Sequence, residues 1–177
     1  MIFDVYGPFT LKRFGIKKLI TNDTLDSLIS TIEKTQSGLS GACGCYVFGI
    51  RAGKGIKPWY VGQANKTTLV KEALNSSNRE KYNKLLDDRS GTPVLFLLPR
   101  MTPEQNRFAK PTSKEVGLKS IHFLEEWLIA SALQRNPELV NDKKTFFLRE
   151  LSVKGIFNAR HGEATTPSTA LKKLLGV

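Results

Sequence analysis

The sequence predicts an α/β fold in which a small, mainly antiparallel β-sheet is flanked by helices. Residues 44–48 and 59–63 are rich in aromatic and β-branched residues, and a segment with two glycines and a proline separates them, as in a β-hairpin with a mobile loop. Residues 93–99 form a continuous apolar run between two prolines, which is typical of a strand buried on both faces. Apolar residues recur at helical spacing on either side of these strands, so we expect helices to cover the sheet.

The N-terminal half predicts three helices around the hairpin. Residues 1–20 mix short apolar runs with cations and are expected to be loosely extended. Asn22-Asp23-Thr24 can cap a helix over residues 25–34, whose apolar positions follow helical spacing. After the hairpin, shorter helices are expected over residues 68–74 and 78–86.

The C-terminal half predicts one long helix. Residues 100–117 show no periodicity, so we expect a flap that becomes ordered on binding a partner. A strong helical pattern covers residues 118–134 and is stopped by Asn136-Pro137. A strand near residues 145–148 and a terminal helix from Ser168 complete the prediction.

Length and composition favour one domain over residues 1–177, with a hydrophobic content of 40%. No apolar run approaches the ~20 residues needed to cross a bilayer, and the first residues lack the pattern of a secretory signal. The single-residue gap between Cys43 and Cys45 is unsuited to a disulfide, and no second pair completes a zinc site. We therefore expect a cytoplasmic protein without a membrane partner.

A net charge of +11 and a pI near 9.8 favour a polyanionic partner such as nucleic acid. Part of the excess is concentrated near the C-terminus, where residues 143–177 hold seven cations and two carboxylates. Alternatively, the positive surface is merely solvated. Charge by itself does not decide between these two interpretations.

Glu125 is the most informative single residue, because its position on the helix is unusual for a carboxylate. The apolar face of that helix is defined by Ile121, Leu124, Leu128 and Ile129. Glu125 falls inside this face. A carboxylate directed into a core costs several kcal/mol unless it meets a cation, a metal or strong donors. Glu125 is thus expected either to pair with Arg or Lys or to bind a metal.

Four segments together resemble the GIY-YIG nuclease superfamily. Gly44-Cys45-Tyr46 and Tyr60-Val61-Gly62 are similar to its two signature triplets. Residues 124–129 resemble its metal-binding helix, and residues 136–141 resemble its closing segment, which ends in asparagine. The order and approximate spacing agree over more than half of the chain. The resemblance implies a GIY-YIG-like core over residues 42–142, with extensions at 1–41 and 143–177.

This resemblance implies a divalent-metal-dependent endonuclease that hydrolyses phosphodiester bonds in DNA. Glu125 would hold Mg²⁺ or Mn²⁺, and Tyr46 would accept the proton of the attacking water. Tyr60 would orient phosphate or water, and Asn141 would contact phosphate or orient a group that does. Alternatively, the tyrosines only pack the sheet, and Asn141 only forms a turn with Asp142.

The chain departs from the family pattern on the helix after the second triplet, where an essential arginine is usual. The corresponding turn offers Lys71 and Glu72 instead. Cations that could take the place of the arginine are Lys66, Lys71, Arg79 and Lys81. Glu72 could add a second metal ligand, and Tyr82 could occupy a family position one turn further on. Lysine lacks the bidentate fork of arginine, so the departure puts catalysis in question.

Three functions are therefore compared. The first is the endonuclease, and the second is a catalytically inactive nucleic-acid-binding module on the same fold. The third is an interaction protein whose charge is only solvation, which leaves an inward Glu125 unexplained. For the endonuclease and for the inactive binding module, the cations expected to bind phosphates are Arg51, Lys54, Lys57, Lys66, Lys81, Lys143, Lys144 and Arg160.

Overall fold

The computed structural model describes residues 2–102, 104, 107–112, 115–141, 145–153, 155–157 and 164–176, with the backbone alone at 115–117 and 147. In this part of the chain the strands are β1 (Tyr6–Thr10), β2 (Gly44–Ala52), β3 (Gly55–Ala64) and β4 (Thr92–Pro99). The helices are α1 (Asn22–Thr35), α2 (Leu69–Ala73), α3 (Ser76–Asp87), α4 (Glu115–Arg135), α5 (Thr145–Glu150) and α6 (Thr166–Leu175), with a 3₁₀ turn at Leu39–Gly41. The strands pair antiparallel in the order β1-β4-β2-β3, which confirms the predicted fold class.

The hairpin of β2 and β3 is longer than its composition indicated. Arg51 pairs with Ile56 and Ala52 with Gly55, so the expected mobile loop is instead a two-residue turn. The prediction was wrong because Pro58 was taken to end the strand. β3 is an edge strand, and its outer side does not need a ladder N–H at that residue.

β4 is the central element that the apolar run predicted, and it lies between β1 and β2. Its contact with β2 is so close that a Cβ atom on Gly44 would overlap the carbonyl oxygen of Leu98 and lie 3.0 Å from the Cα atom of Pro99. Gly44 also has a φ of +154°, which side chains rarely adopt. The first glycine of the hairpin is therefore required by backbone packing.

Both faces of the sheet are covered. Along β2, the period-two alternation directs Tyr46 and Phe48 into a core shared with α1, α2 and α3. Cys45 on the opposite face packs with Ile121 of α4, and Val61 of β3 packs with Ile129 of the same helix. None of the helices in the described part of the chain has the length and apolarity needed to span a membrane.

Two predictions from the second half were wrong. Residues 145–150 form a helix where a strand was expected, because so short an apolar run does not distinguish the two; the Thr145 hydroxyl donates to the Asn141 carbonyl, 2.6 Å away, at helical spacing. Residues 107–112, within the expected flap, are hydrogen-bonded to the rest of the fold. The Ala109 carbonyl accepts from the Cys43 N–H at 2.9 Å, and the Thr112 N–H donates to the Asn65 carbonyl at 2.8 Å.

Candidate active site

A cavity of about 340 Å³ collects chemically active side chains that are far apart in the sequence. Its walls come from both hairpin strands, the loop after β3, α2 and α4. The lining residues are Tyr46, Tyr60, Gly62, Gln63, Ala64, Asn65, Lys66, Thr67, Glu72 and Glu125. Larger cavities exist, of about 670 Å³ beside Phe108, about 600 Å³ beside Glu150 and about 370 Å³ beside Glu138, but none of their described walls combines a tyrosine with a carboxylate. The smaller cavity is therefore the candidate active site.

Gly62 makes room for the Tyr46 ring. The two residues face each other across the β2–β3 ladder. A Cβ atom on Gly62 would overlap the hydroxyl oxygen and the Cζ atom of Tyr46 and would lie 2.8 Å from its Cε2 atom. A glycine is therefore required at position 62, because the Tyr46 ring occupies the space that a side chain there would need.

Tyr46 forms the buried floor of the cavity and is 1% exposed. Its hydroxyl oxygen accepts a hydrogen bond from the Asn78 side-chain amide at 2.9 Å. Burial raises the pKa of the Tyr46 phenol well above its ordinary value, and Tyr60 and Glu72 raise it further, while the bond from Asn78 opposes the shift. Tyr46 is therefore a neutral phenol at neutral pH.

Tyr60 lies beside Tyr46 with 6.2 Å between the ring centroids, and it is only partly buried. Burial raises the pKa of Tyr60, whereas the nearby Lys81 ammonium lowers it. The Lys81 Nζ atom lies 5.2 Å from the Tyr60 ring centroid, in a cation–π contact. Lys81 was expected to bind phosphate, and its described contact is with a tyrosine of the cavity.

Two carboxylates on different helices lie in the cavity wall. Glu125 of α4 is partly buried there, while the adjacent Glu126 is exposed. Glu72 of α2 is also partly buried, and its Oε1 atom accepts from the Asn75 amide at 3.2 Å. Carboxylate oxygens suit Mg²⁺, which retains most of its water. Among the described residues no cluster of three or more His, Cys, Asp or Glu occurs, and the carboxylates that line this cavity are Glu72 and Glu125.

Tyr82, unlike Tyr46, is not part of the described cavity wall. It is 0% exposed, and its ring stacks on Phe48 with centroids 3.9 Å apart and planes 3° apart. Its hydroxyl is buried without a hydrogen-bond partner in the described part of the chain. The helical spacing of residues 78, 82 and 85 directs Tyr82 into the core, and its correspondence with a family position stays a prediction.

The cations expected to replace the family arginine are mostly outside the cavity. The Arg79 guanidinium donates to the Asn22 side chain at the start of α1, and Arg79 does not line the cavity wall. Lys71 is exposed on α2 and is not part of that wall either. Of the candidate cations, Lys66 is the one that lines the cavity.

Asn141 holds the edge strand and does not point its amide into the cavity. Its Oδ1 atom accepts from the Val61 N–H at 3.0 Å, and its Nδ2 atom donates to the Val61 carbonyl at 2.7 Å. Asn136 similarly donates to the Pro58 carbonyl at 2.7 Å. Residues 136–141 thus form hydrogen bonds with the outer backbone of β3, and the expected phosphate contact of Asn141 stays a prediction.

Replacing Asn141 by alanine is expected to lower the free energy of unfolding by about 2–3 kcal/mol. The substitution leaves a buried backbone N–H and carbonyl of Val61 unpaired, and each such group costs about 1–3 kcal/mol. Urea unfolding followed by circular dichroism measures the change. The exposed Gln134→Ala on α4 is the control, and a loss for Asn141→Ala no larger than the control's would contradict the structural role.

Buried tyrosines predict alkaline instability. Burial raises the folded-state pKa of Tyr46, Tyr60 and Tyr82 above the unfolded value near 10. Below that pH both states hold their protons; above it the unfolded state loses them first, so stability falls as pH rises. The slope is about 1.4 kcal/mol per pH unit for each tyrosine that stays protonated in the folded state. Urea midpoints between about pH 9 and 11 test this, and Tyr82→Phe should flatten the dependence.

The remaining cations expected to bind phosphate differ in their exposure and in their contacts with carboxylates. Arg51 and Lys54 are exposed near the hairpin turn. The Lys57 Nζ atom pairs with the Glu138 carboxylate at 3.4 Å. The other three predicted phosphate-binding residues, Lys143, Lys144 and Arg160, lie outside the described residues. Phosphate binding by these cations stays a prediction.

Two polar residues at the site were not recognised in the sequence. Asn78 carries the hydrogen bond to Tyr46, and its place on the inner face of α3, one turn before Tyr82, was the available signal. His122 lies one turn before Glu125 on α4, with its Nε2 atom 3.3 Å from the Asn65 amide. Both contacts depend on how the helices pack against the hairpin.

Comparison with known proteins found no matching family model, no similar curated protein and no similar solved structure.

Proposed function

We propose that this chain is a divalent-metal-dependent endonuclease that hydrolyses phosphodiester bonds in DNA and belongs to the GIY-YIG superfamily. The observation that carries the proposal is the shared cavity of Tyr46, Tyr60, Glu72 and Glu125. Two phenols, two carboxylates and the adjacent Lys66 are the groups that metal-assisted phosphodiester hydrolysis needs. The basic composition supports a polyanionic substrate.

Glu125 would hold Mg²⁺ or Mn²⁺, and Glu72 is the second carboxylate within the same cavity. When bound, the cation supplies positive charge that stabilises the departing oxygen and lowers the pKa of nearby oxygen groups. The Asn75 amide holds the Glu72 carboxylate in place. This arrangement leaves most coordination positions to water and to the phosphate, as Mg²⁺ prefers.

In this proposal Tyr46 would act as the base in its phenolate form. Its phenol proton would first be released to solvent, favoured by the charge of a bound cation, and the phenolate would then accept the proton of the attacking water. Asn78 fixes the hydroxyl by donating to its oxygen, and burial keeps water from surrounding it. A phenolate with a raised pKa is a strong base, although little of it exists at neutral pH. Tyr60 is more exposed and orients the water or the phosphate, with Lys81 favouring negative charge on its oxygen.

Lys66 is proposed to stabilise the negative charge of the transferring phosphoryl group. It lines the cavity in the loop after β3, close in sequence to the position of the family arginine. A lysine provides a point charge and not a two-pronged donor, so it orients phosphate less strictly than arginine. We therefore expect slower cleavage than an arginine at this position would give.

Cleavage of supercoiled plasmid with Mg²⁺ or Mn²⁺ tests the proposal, comparing wild type with Glu125→Ala and Tyr46→Phe. Metal-dependent cutting that disappears in both variants would support the endonuclease. Cutting that persists in both would come from a contaminant. Tyr82→Phe is the control for loss of a tyrosine hydroxyl, because Tyr82 is buried outside the cavity.

The second candidate is an inactive nucleic-acid-binding module on the same fold. It is favoured by one observation: the described wall of the cavity contains no arginine. This candidate predicts no cutting with either metal, together with DNA binding that weakens steeply as salt increases. The plasmid assay and a binding assay in EDTA therefore separate the two functions.

A further inference from the structure

The connection between β1 and α1 forms a projecting basic tip, defined as residues 12–19. It is held at both ends by buried residues, since Leu11 and Ile20 are each 2% exposed. The Leu11 N–H donates to the Pro93 carbonyl at 3.0 Å. The Lys12 carbonyl accepts from the hydroxyl of Thr24 at 2.7 Å. The basic tip thus projects from a fixed base.

The basic tip is a formed turn. Phe14 and Leu19 exchange two backbone hydrogen bonds, of 2.7 Å and 2.9 Å, and the Lys18 N–H donates to the Gly15 carbonyl at 3.0 Å. Lys18 has a φ of +49°, a left-handed conformation that is unfavourable for a residue with a side chain. The turn places Ile16 at its apex, with a relative exposure of 103%. An apolar β-branched side chain is therefore presented to solvent on a defined backbone.

Four exposed cations lie close to this isoleucine in sequence. The basic tip contains Lys12, Arg13, Lys17 and Lys18, all exposed, and its sequence has no acidic residue. A single exposed apolar residue is ordinary on protein surfaces. An apolar apex flanked in sequence by exposed cations is complementary to duplex nucleic acid, which has phosphates outside and an apolar base stack inside. Proteins that kink a duplex insert such apolar side chains between base steps while cations bind the backbone.

The basic tip is joined to the candidate active site through α3. The Asn83 side chain accepts from the Ile20 N–H at 2.8 Å and donates to the Ile20 carbonyl at 3.1 Å. Five residues earlier on α3, about 7.5 Å along the helix axis, Asn78 donates to the Tyr46 hydroxyl. A duplex held by the basic tip would therefore have a fixed relation to the cavity.

We propose that the basic tip binds double-stranded nucleic acid, with its cations on the phosphates and Ile16 inserted at a base step. The inference rests on the proposed function for the class of partner. It does not depend on cleavage. The rival occupant with the same charge complementarity is an anionic membrane surface, which the experiment includes as an outcome.

The experiment measures binding of the full chain to a fluorescent duplex containing 2-aminopurine, in EDTA so that no cleavage occurs. The variants are Ile16→Ala, Lys17→Ala and the control Lys34→Ala, which removes an exposed cation from the last turn of α1. Ile16→Ala should weaken binding about tenfold without changing its salt dependence. It should also remove the fluorescence increase that reports base unstacking. Lys17→Ala should reduce the salt slope by about 0.9, and Lys34→Ala should retain the wild-type signal.

The outcomes distinguish the inference from the proposed function. If Ile16→Ala and Lys17→Ala both bound the duplex with wild-type affinity and wild-type 2-aminopurine signal, the inference would be overturned. The proposed endonuclease function would not be affected. Binding that needs Ile16 while plasmid cleavage is absent would support the inference and overturn the enzyme. Loss of binding to phosphatidylserine vesicles, with duplex binding unchanged, would assign the basic tip to a membrane surface. Absence of any duplex binding by wild type would overturn both.

Discussion

Replacing Gly62 by alanine is expected to destabilise the protein by about 3 kcal/mol and to abolish the candidate active site. The added Cβ atom would overlap the Tyr46 ring at its hydroxyl end. Tyr46 is almost wholly buried and its hydroxyl is bonded to Asn78, so the ring can move only towards the cavity and only by losing that bond. The strain must therefore separate β3 from β2 or force Tyr46 out of the cavity floor. Either response removes the hydroxyl from its bond with Asn78.

The same hairpin supplies a matched control. Gly55 at the start of β3 has no heavy atom within 4 Å of an added Cβ atom, so Gly55→Ala should leave stability unchanged or raise it slightly. Urea unfolding measures both variants. In a Tyr46→Leu background, Gly62→Ala should cost much less, because the ring is gone. Equal costs of Gly62→Ala in the two backgrounds would show that the clash with Tyr46 is not the cause.

Local patterns were sufficient to predict three of the four strands of the sheet, whereas β1 lies in a segment that was expected only to be loosely extended. The hairpin and the apolar run of β4 were confirmed, because β-branched and aromatic content is a local property of each strand. The hairpin turn was wrongly predicted, since whether Pro58 interrupts a strand depends on which edge of the sheet it occupies. The strand expected at residues 145–148 became α5 for a similar reason: its few residues carry no distinguishing period.

A residue of the candidate site was predictable where its side chain did not suit the face of the helix or strand on which it lies. Glu125 interrupts an apolar helix face, and this conflict is visible in the sequence; the structure places its side chain in the cavity. The arrangements of Asn78, Asn141 and Tyr82 were not predictable. Each depends on a partner brought close by the tertiary fold: Asn78 on Tyr46, Asn141 on the Val61 backbone and Tyr82 on the Phe48 ring. The catalytic roles of the cavity residues stay predictions.

Replacing Glu125 by glutamine is expected to reduce metal-dependent DNA cleavage at least about a thousandfold while leaving the fold intact. Glutamine keeps the size of the side chain but removes the charge that holds a hard cation. A catalytic metal contributes several kcal/mol of transition-state stabilisation, and about 1.4 kcal/mol corresponds to a factor of ten in rate. Plasmid cleavage under Mg²⁺ and Mn²⁺ measures the loss.

Metal binding by Glu125 has a readout that does not require activity. A cation that binds the folded state raises the melting temperature, so Mn²⁺ should stabilise wild type and should have little effect on Glu125→Gln. The adjacent Glu126 is exposed on α4, and Glu126→Gln is the matched control that should retain both cleavage and stabilisation. Glu72→Gln should show an intermediate loss if its carboxylate shares the cation. If Glu125→Gln instead retained Mn²⁺ stabilisation equal to wild type, the cation would be bound elsewhere and Glu125 would not be its ligand.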